Sequence, residues 1–142
     1  MKRILLSLAL ATSFVSTAAL ACEGESKQQA STEPTRATVA DVASWTKSKA
    51  AIPVDANGKE TRTSQGVIPG AVLLTSSSTY AVSELPADKN AKLVFYCANQ
   101  KCSASSAAAK RAMEAGYTNV AVLPEGIAGW KQAGQPTAKP NS

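Results

Sequence analysis

The residues of this 142-residue chain best equipped for chemistry are its three cysteines. Cys97 and Cys102 bracket one short stretch, Ala98-Asn99-Gln100-Lys101, and Cys22 stands near the amino terminus. There is no histidine. That excludes Ser-His-Asp and Cys-His catalysis, a histidine general base and histidine-ligated metals. A nucleophile here must be activated by backbone dipoles, Lys, Arg or a carboxylate, a route open to a thiol. Cys97 is the candidate nucleophile and Cys102 a candidate second thiol, although a buried cysteine also serves as a small hydrophobe.

The elements around Cys97 set its chemistry. Leu93, Val94, Phe95 and Tyr96 form a short apolar, β-prone run, and the Ala-, Lys- and Arg-rich text from Ser103 has helix propensity. Cys97 therefore falls where a buried strand hands over to a helix. Such a loop directs several backbone N–H groups towards one point, and the helix dipole adds partial positive charge there. The expectation is a Cys97 thiol that loses its proton readily. Asp55 ends an earlier strand-like run, Ala51 to Asp55, and suits either an orienting carboxylate for the cysteine segment or a turn cap.

The remainder of the chain supports a single α/β domain with a mainly parallel sheet. Thr38 with Asp41 has the spacing of a capping box, opening a helix that ends near Lys49. Residues 62–65 read as polar loop or a frayed turn, Pro69-Gly70 forces a bend before a strand at 71–74, and 75–79 is a Ser/Thr connection. After the cysteine loop and its helix, Gly116 is a helix stop, 117–123 a strand, and Ile127 to Ala133 a short helix packed through Trp130. The formal charge of +5 includes Lys2 and Arg3 of an apolar leader; without them the excess is small and scattered, a poor case for nucleic acid.

Met1 to Ala21 has the form of an export signal. A small residue before Cys22 is similar to a bacterial lipobox, with Ala19 standing where Leu is usual, so Cys22 is the expected lipidation site. Residues 22–37 are expected to be a disordered tether, 38–137 the folded domain and 138–142 a tail. The expectation is export to the cell envelope or periplasm, with a lipid at Cys22 holding the protein at a membrane; Ala19-Leu20-Ala21 also fits an ordinary A-x-A cleavage site, for which the alternative is plain secretion.

Taken in order, Val54-Asp55, Val67-Ile68-Pro69-Gly70-Ala71, Leu93 to Cys97, Gly116-Tyr117 with Asn119-Val120, and Leu123-Pro124-Glu125-Gly126 with Trp130, Ala133, Gly134 and Pro136 resemble the rhodanese, or sulfurtransferase, family. The resemblance covers roughly Thr38 to Thr137. It implies a three-layer α/β fold with a mainly parallel central sheet flanked by helices, and it implies that Cys97 carries sulfur as a persulfide. Donors would be thiosulfate, a persulfide or a polysulfide, acceptors cyanide or a thiol, with no cofactor and a monomeric protein. The backbone of Ala98, Asn99, Gln100, Lys101, Cys102 and Ser103 would cradle anionic sulfur, Lys101 would add charge, and Ser103 and Ser105 would donate hydrogen bonds.

The chain departs from the family pattern at several points. Val67 replaces the usual His, Asn57 a common Arg, the loop is about two residues longer than in the common single-domain form, and its usual Arg is absent. Related phosphatases use Cys-x5-Arg, and Ser103 occupies that Arg position, which argues against phosphate esters. Two rivals to sulfur transfer follow. One is a thiol–disulfide or persulfide-resolving enzyme using Cys97 and Cys102; the other is a non-catalytic rhodanese-like binding module.

Overall fold

The computed structural model describes residues 32–140. The expected signal segment, Cys22 and most of the expected tether lie outside the described residues. The elements are β1 (Thr35–Arg36), α1 (Val39–Lys47), β2 (Ile52–Asp55), α2 (Lys59–Gln65), β3 (Val72–Leu73), β4 (Leu93–Tyr96), α3 (Ala104–Glu114), β5 (Val120–Leu123) and α4 (Gly126–Gln132). The strands form one sheet in the order β1-β5-β4-β2-β3, and every strand pairing is parallel.

Alternation along the central strands builds the three layers. Leu93 and Phe95 of β4 and Val120 and Val122 of β5 point to one face, where Ala108, Ala109 and Ala112 of α3 cover them. Val94, Tyr96, Ala121 and Leu123 point to the other, against Val42 of α1 and Ile127 and Trp130 of α4. Both strands are buried along their whole length. That explains why they read as continuous apolar runs. The alanines of α3 let its axis approach the sheet closely, which fixes where the start of α3 sits above the end of β4. The Thr38 cap forms as its spacing predicts: Asp41 N–H donates to Thr38 Oγ1 at 3.2 Å and Thr38 N–H to Asp41 Oδ2 at 3.0 Å.

The structure corrects the sequence reading at three places. Thr35 and Arg36, expected within the tether, pair with Ala121 and Val122 as an edge strand, and Ala37 N–H donates to Val122 O at 2.8 Å. Both residues are exposed. They are held by the backbone, which leaves no hydrophobic pattern to read. Residues 62–65, expected as loop or a frayed turn, belong to α2, a helix with no buried residue and hence no periodicity. Ala138, expected in the tail, is tied by an antiparallel bridge to Val67 with N–H···O distances of 2.8 and 2.9 Å.

Candidate active site

Cys97 directly follows β4, at the carboxyl edge of the sheet, and is buried at 1% exposure. Cys102 is half-buried, and both thiols are free. What orients the loop between them is α4. Ile127 N–H donates to Cys97 O at 2.8 Å and Ala128 N–H to Ala98 O at 3.0 Å. A trans peptide points its C=O and N–H in opposite directions. With the Cys97 carbonyl drawn towards α4, the Ala98 N–H is turned into the loop, where it favours the Cys102 thiolate.

Gly126 makes this clamp feasible. Its φ is +61°, and a Cβ there would lie 2.4 Å from Cys97 O and 2.7 Å from Ala98 C. No side chain fits between α4 and the loop. Inside the loop, Cys102 N–H closes a turn onto Asn99 O at 3.0 Å, and the Asn99 side-chain oxygen accepts from Lys101 N–H at 3.0 Å.

The helix start completes the surroundings of the two sulfurs. Ser103 caps α3 without a side-chain hydrogen bond, so the first N–H groups of α3 are open to other acceptors. The Ala104 N–H favours the Cys102 thiolate and the Ser105 N–H the Cys97 thiolate. Ser105 is buried, with its Oγ 3.3 Å from Cys97 Sγ. Cys97 Sγ also faces the Cys102 carbonyl at 3.1 Å and, more distantly, the Asn99 carbonyl at 4.0 Å.

This arrangement divides the two thiols electrostatically. Burial pushes Cys97 up, the hydrogen bond to Cys102 adds to that, and the Ser105 hydroxyl and N–H only partly oppose it. For Cys102, burial also acts upwards, yet it is outweighed by bonds from the Cys97 thiol and the Ala98 and Ala104 N–H groups, and its value falls below the ordinary thiol range. The expected ease of ionisation thus belongs to Cys102 rather than Cys97. The difference lies in burial and donors: Cys97 is the more deeply buried sulfur and has Ser105 alone to favour its thiolate, whereas the Ala98 and Ala104 N–H groups both favour that of Cys102.

Cys102 also faces solvent space. A groove of about 500 Å³ is lined by Cys102 with Gln100, Lys101, Ser103 and Ser105 and, from β1, Arg36. Cys97 does not line it. Lys101 and Ser103 are exposed, and neither Lys101 nor Arg36 forms an ion pair among the described residues. Glu33 also borders the groove and pairs with Lys110 at 2.7 Å.

Asp55 is fully buried but turned elsewhere. Its Oδ1 accepts from Asn57 N–H at 2.7 Å and from Arg62 Nε at 3.1 Å. It organises a turn and α2, not the cysteine loop. Sequence reasoning missed Arg36, assigned to the tether, and the Gly126 clamp, Gly126 having entered as part of the family resemblance. A glycine directly before a short helix was the available signal for the second.

A family model described as a rhodanese-like domain matches residues 38–133. Among solved structures, a Rhodopseudomonas palustris protein of unknown function, described as a possible tyrosine phosphatase, is 30% identical; the match covers 74% of this chain and 85% of that one, with a TM-score of 0.61. A rhodanese-like domain from Anabaena is 22% identical, covering 74% and 79%, with a TM-score of 0.58. A thiosulfate sulfurtransferase from Pseudomonas aeruginosa is 21% identical over 77% of this chain and 21% of its own, with a TM-score of 0.63. No curated protein matches the chain.

Proposed function

From the membership of this chain in the rhodanese-like domain family, we propose that it transfers sulfane sulfur, with Cys97 as the carrier. The observation that supports this most directly is the position of Cys97, directly after the central strand and beside the first turn of α3, with Ser105 Oγ at 3.3 Å. The Cys97 thiolate attacks the outer sulfur of a small donor such as thiosulfate, a persulfide or a polysulfide. A sulfur–sulfur bond forms to Cys97, and the donor remnant leaves with the electron pair of the bond that breaks. Because burial favours protonated Cys97, its proton must be shed first, and the neighbouring Cys102 sulfur, held by two N–H groups, is the acceptor at hand. A thiol or cyanide then takes the terminal sulfur and restores Cys97. Phosphate-ester chemistry is disfavoured, since no arginine stands between Cys97 and Ser103 to grip a phosphate.

Intact mass after exposure of the reduced protein to thiosulfate or polysulfide tests the reading. A cyanide-removable gain of about 32 Da, absent in Cys97→Ser, is expected for the covalent carrier. Transfer rates in Cys97→Ser should fall by at least about a thousandfold, as for loss of a covalent nucleophile. Absence of sulfur uptake from every donor would leave the binding module as the better account.

A further inference from the structure

We propose that Cys102 is a resolving thiol, which attacks the sulfur-loaded Cys97 and releases the transferred sulfur as hydrosulfide. The inference rests on the Cys97 carrier reading above and deepens it by naming an internal acceptor. Three observations lead to it. The two cysteines sit in one loop, and the Cys97 thiol donates to the Cys102 carbonyl at 3.1 Å, which holds the two residues against each other. Cys97 is buried at 1% exposure, whereas Cys102 lines the groove, so an external acceptor meets Cys102 before it meets Cys97. The Ala98 and Ala104 N–H groups converge on the Cys102 sulfur, the arrangement that favours its thiolate.

The step balances without an added oxidant. The Cys102 sulfur forms a bond to Cys97 Sγ, and the bond between Cys97 Sγ and the sulfane sulfur breaks. That outer sulfur takes the bonding electron pair and the Cys102 proton and leaves as HS⁻. The sulfane sulfur is reduced by two electrons, and the two cysteine sulfurs end as a disulfide. A dithiol reductant resets the site: its thiolate attacks the more exposed Cys102 sulfur, Cys97 leaves as thiolate, and the second thiol of the reductant frees Cys102. Holding both thiols in one loop gives the internal attack the advantage of proximity over a dilute external thiol. The cycle as a whole converts sulfane sulfur to sulfide at the expense of a dithiol.

The test is a single turnover without oxygen. Reduced protein is loaded briefly with polysulfide, freed of excess donor and followed by intact mass, peptide mapping and sulfide assay; the mapping separates Cys22 from the pair. In the unaltered protein the gain of about 32 Da should give way to a two-hydrogen loss joining Cys97 to Cys102, with one hydrosulfide released per chain. Cys102→Ser should load more slowly and then keep its sulfur, with spontaneous sulfide release lowered by about a hundredfold or more. Loaded protein that holds its sulfur as long as Cys102→Ser would overturn the resolving role and leave the carrier role standing. A Cys97–Cys102 disulfide formed without matching sulfide would overturn it as well. Failure of both proteins to take up sulfur would instead remove the Cys97 carrier reading, and the resolving role with it.

Discussion

Two corners of the same sheet edge hold buried polar chemistry, one at the end of β2 and one at the end of β4. These strands are hydrogen-bonded neighbours, with Asp55 in register with Tyr96, the residue before Cys97. By charge, the β2 corner is the stronger candidate for a site. Its Asp55 is fully buried, and Arg62, whose side chain is 13% exposed, pairs with it. Yet Arg62 is occupied within the fold: Nε bonds Asp55 Oδ1, and Nη2 bonds the carbonyls of Asp55 at 2.9 Å and Leu74 at 2.8 Å. The β4 corner has no ion pair among the described residues but leaves two thiols free and two cations, Lys101 and Arg36, beside a groove. At the β2 corner Asp55 Oδ2 and Asn57 Nδ2 are buried without a hydrogen-bond partner, so unpartnered polar atoms alone do not make a site. The Arg62 guanidinium is a brace closed inside the fold, and the reactive corner is the one that opens a thiol and two cations to a groove.

The largest effect that bears on this contrast is expected at Arg62. Replacing it with Met removes one partner of a buried pair and strands the Asp55 carboxylate, which typically costs about 3–5 kcal/mol. The midpoint of urea unfolding should fall accordingly, while the folded protein still loads sulfur on Cys97. Lost loading at undiminished stability would make the β2 corner part of the site and erase the distinction.

At the other corner a single methyl group should be felt almost as strongly. Gly126 and Gly70 both have positive φ, at +61° and +78°, but only Gly126 would bring a Cβ against neighbouring backbone. Gly70→Ala should cost about 1–2 kcal/mol from the backbone conformation alone. Gly126→Ala adds a clash with Cys97 O and should cost about 2–4 kcal/mol. It should also slow sulfur uptake, because the α4 bonds to Cys97 O and Ala98 O aim the loop. Equal unfolding midpoints for the two variants would mean that the clamp is slack.

The contrast also explains what could be read from the chain before its fold was known. β4 and β5 announce themselves by buried apolar runs, and Cys97 is placed by the junction of Tyr96 with a helix-prone segment. The Thr38 cap is legible because its two hydrogen bonds are local in sequence. Apart from α2, which buries no residue and so carries no apolar period, what escaped was held by long-range backbone bonds. β1 depends on β5, 85 residues away at Thr35 and Val120, and the loop orientation depends on N–H groups from Ile127 and Ala128. No residue type between 97 and 103 reveals which way a peptide plane faces. For that reason the sequence points to Cys97 as the readily ionised thiol, whereas the folded loop favours Cys102.

The smallest expected effect tests that reversal directly. Thiolate is the form that reacts with iodoacetamide, and a thiol whose value lies below the ordinary range reaches it at lower pH. Burial and the Cys102 contact act the opposite way on Cys97. As pH rises, Cys102 should therefore be modified first and Cys97 only under more alkaline conditions, with peptide mapping to separate the two. Access reinforces the order, since Cys102 lines the groove and Cys97 does not. Access alone, however, leaves the midpoint of each rate profile unchanged, so the position of the midpoint isolates the electrostatic part. Replacing Ser105 with Ala removes a group that favours the Cys97 thiolate and should move the Cys97 midpoint further up by a modest amount, leaving that of Cys102 nearly in place. A Cys97 midpoint below that of Cys102 would mean that the helix dipole governs the first sulfur after all, and the assignment of the more readily ionised thiol to Cys102 would fail.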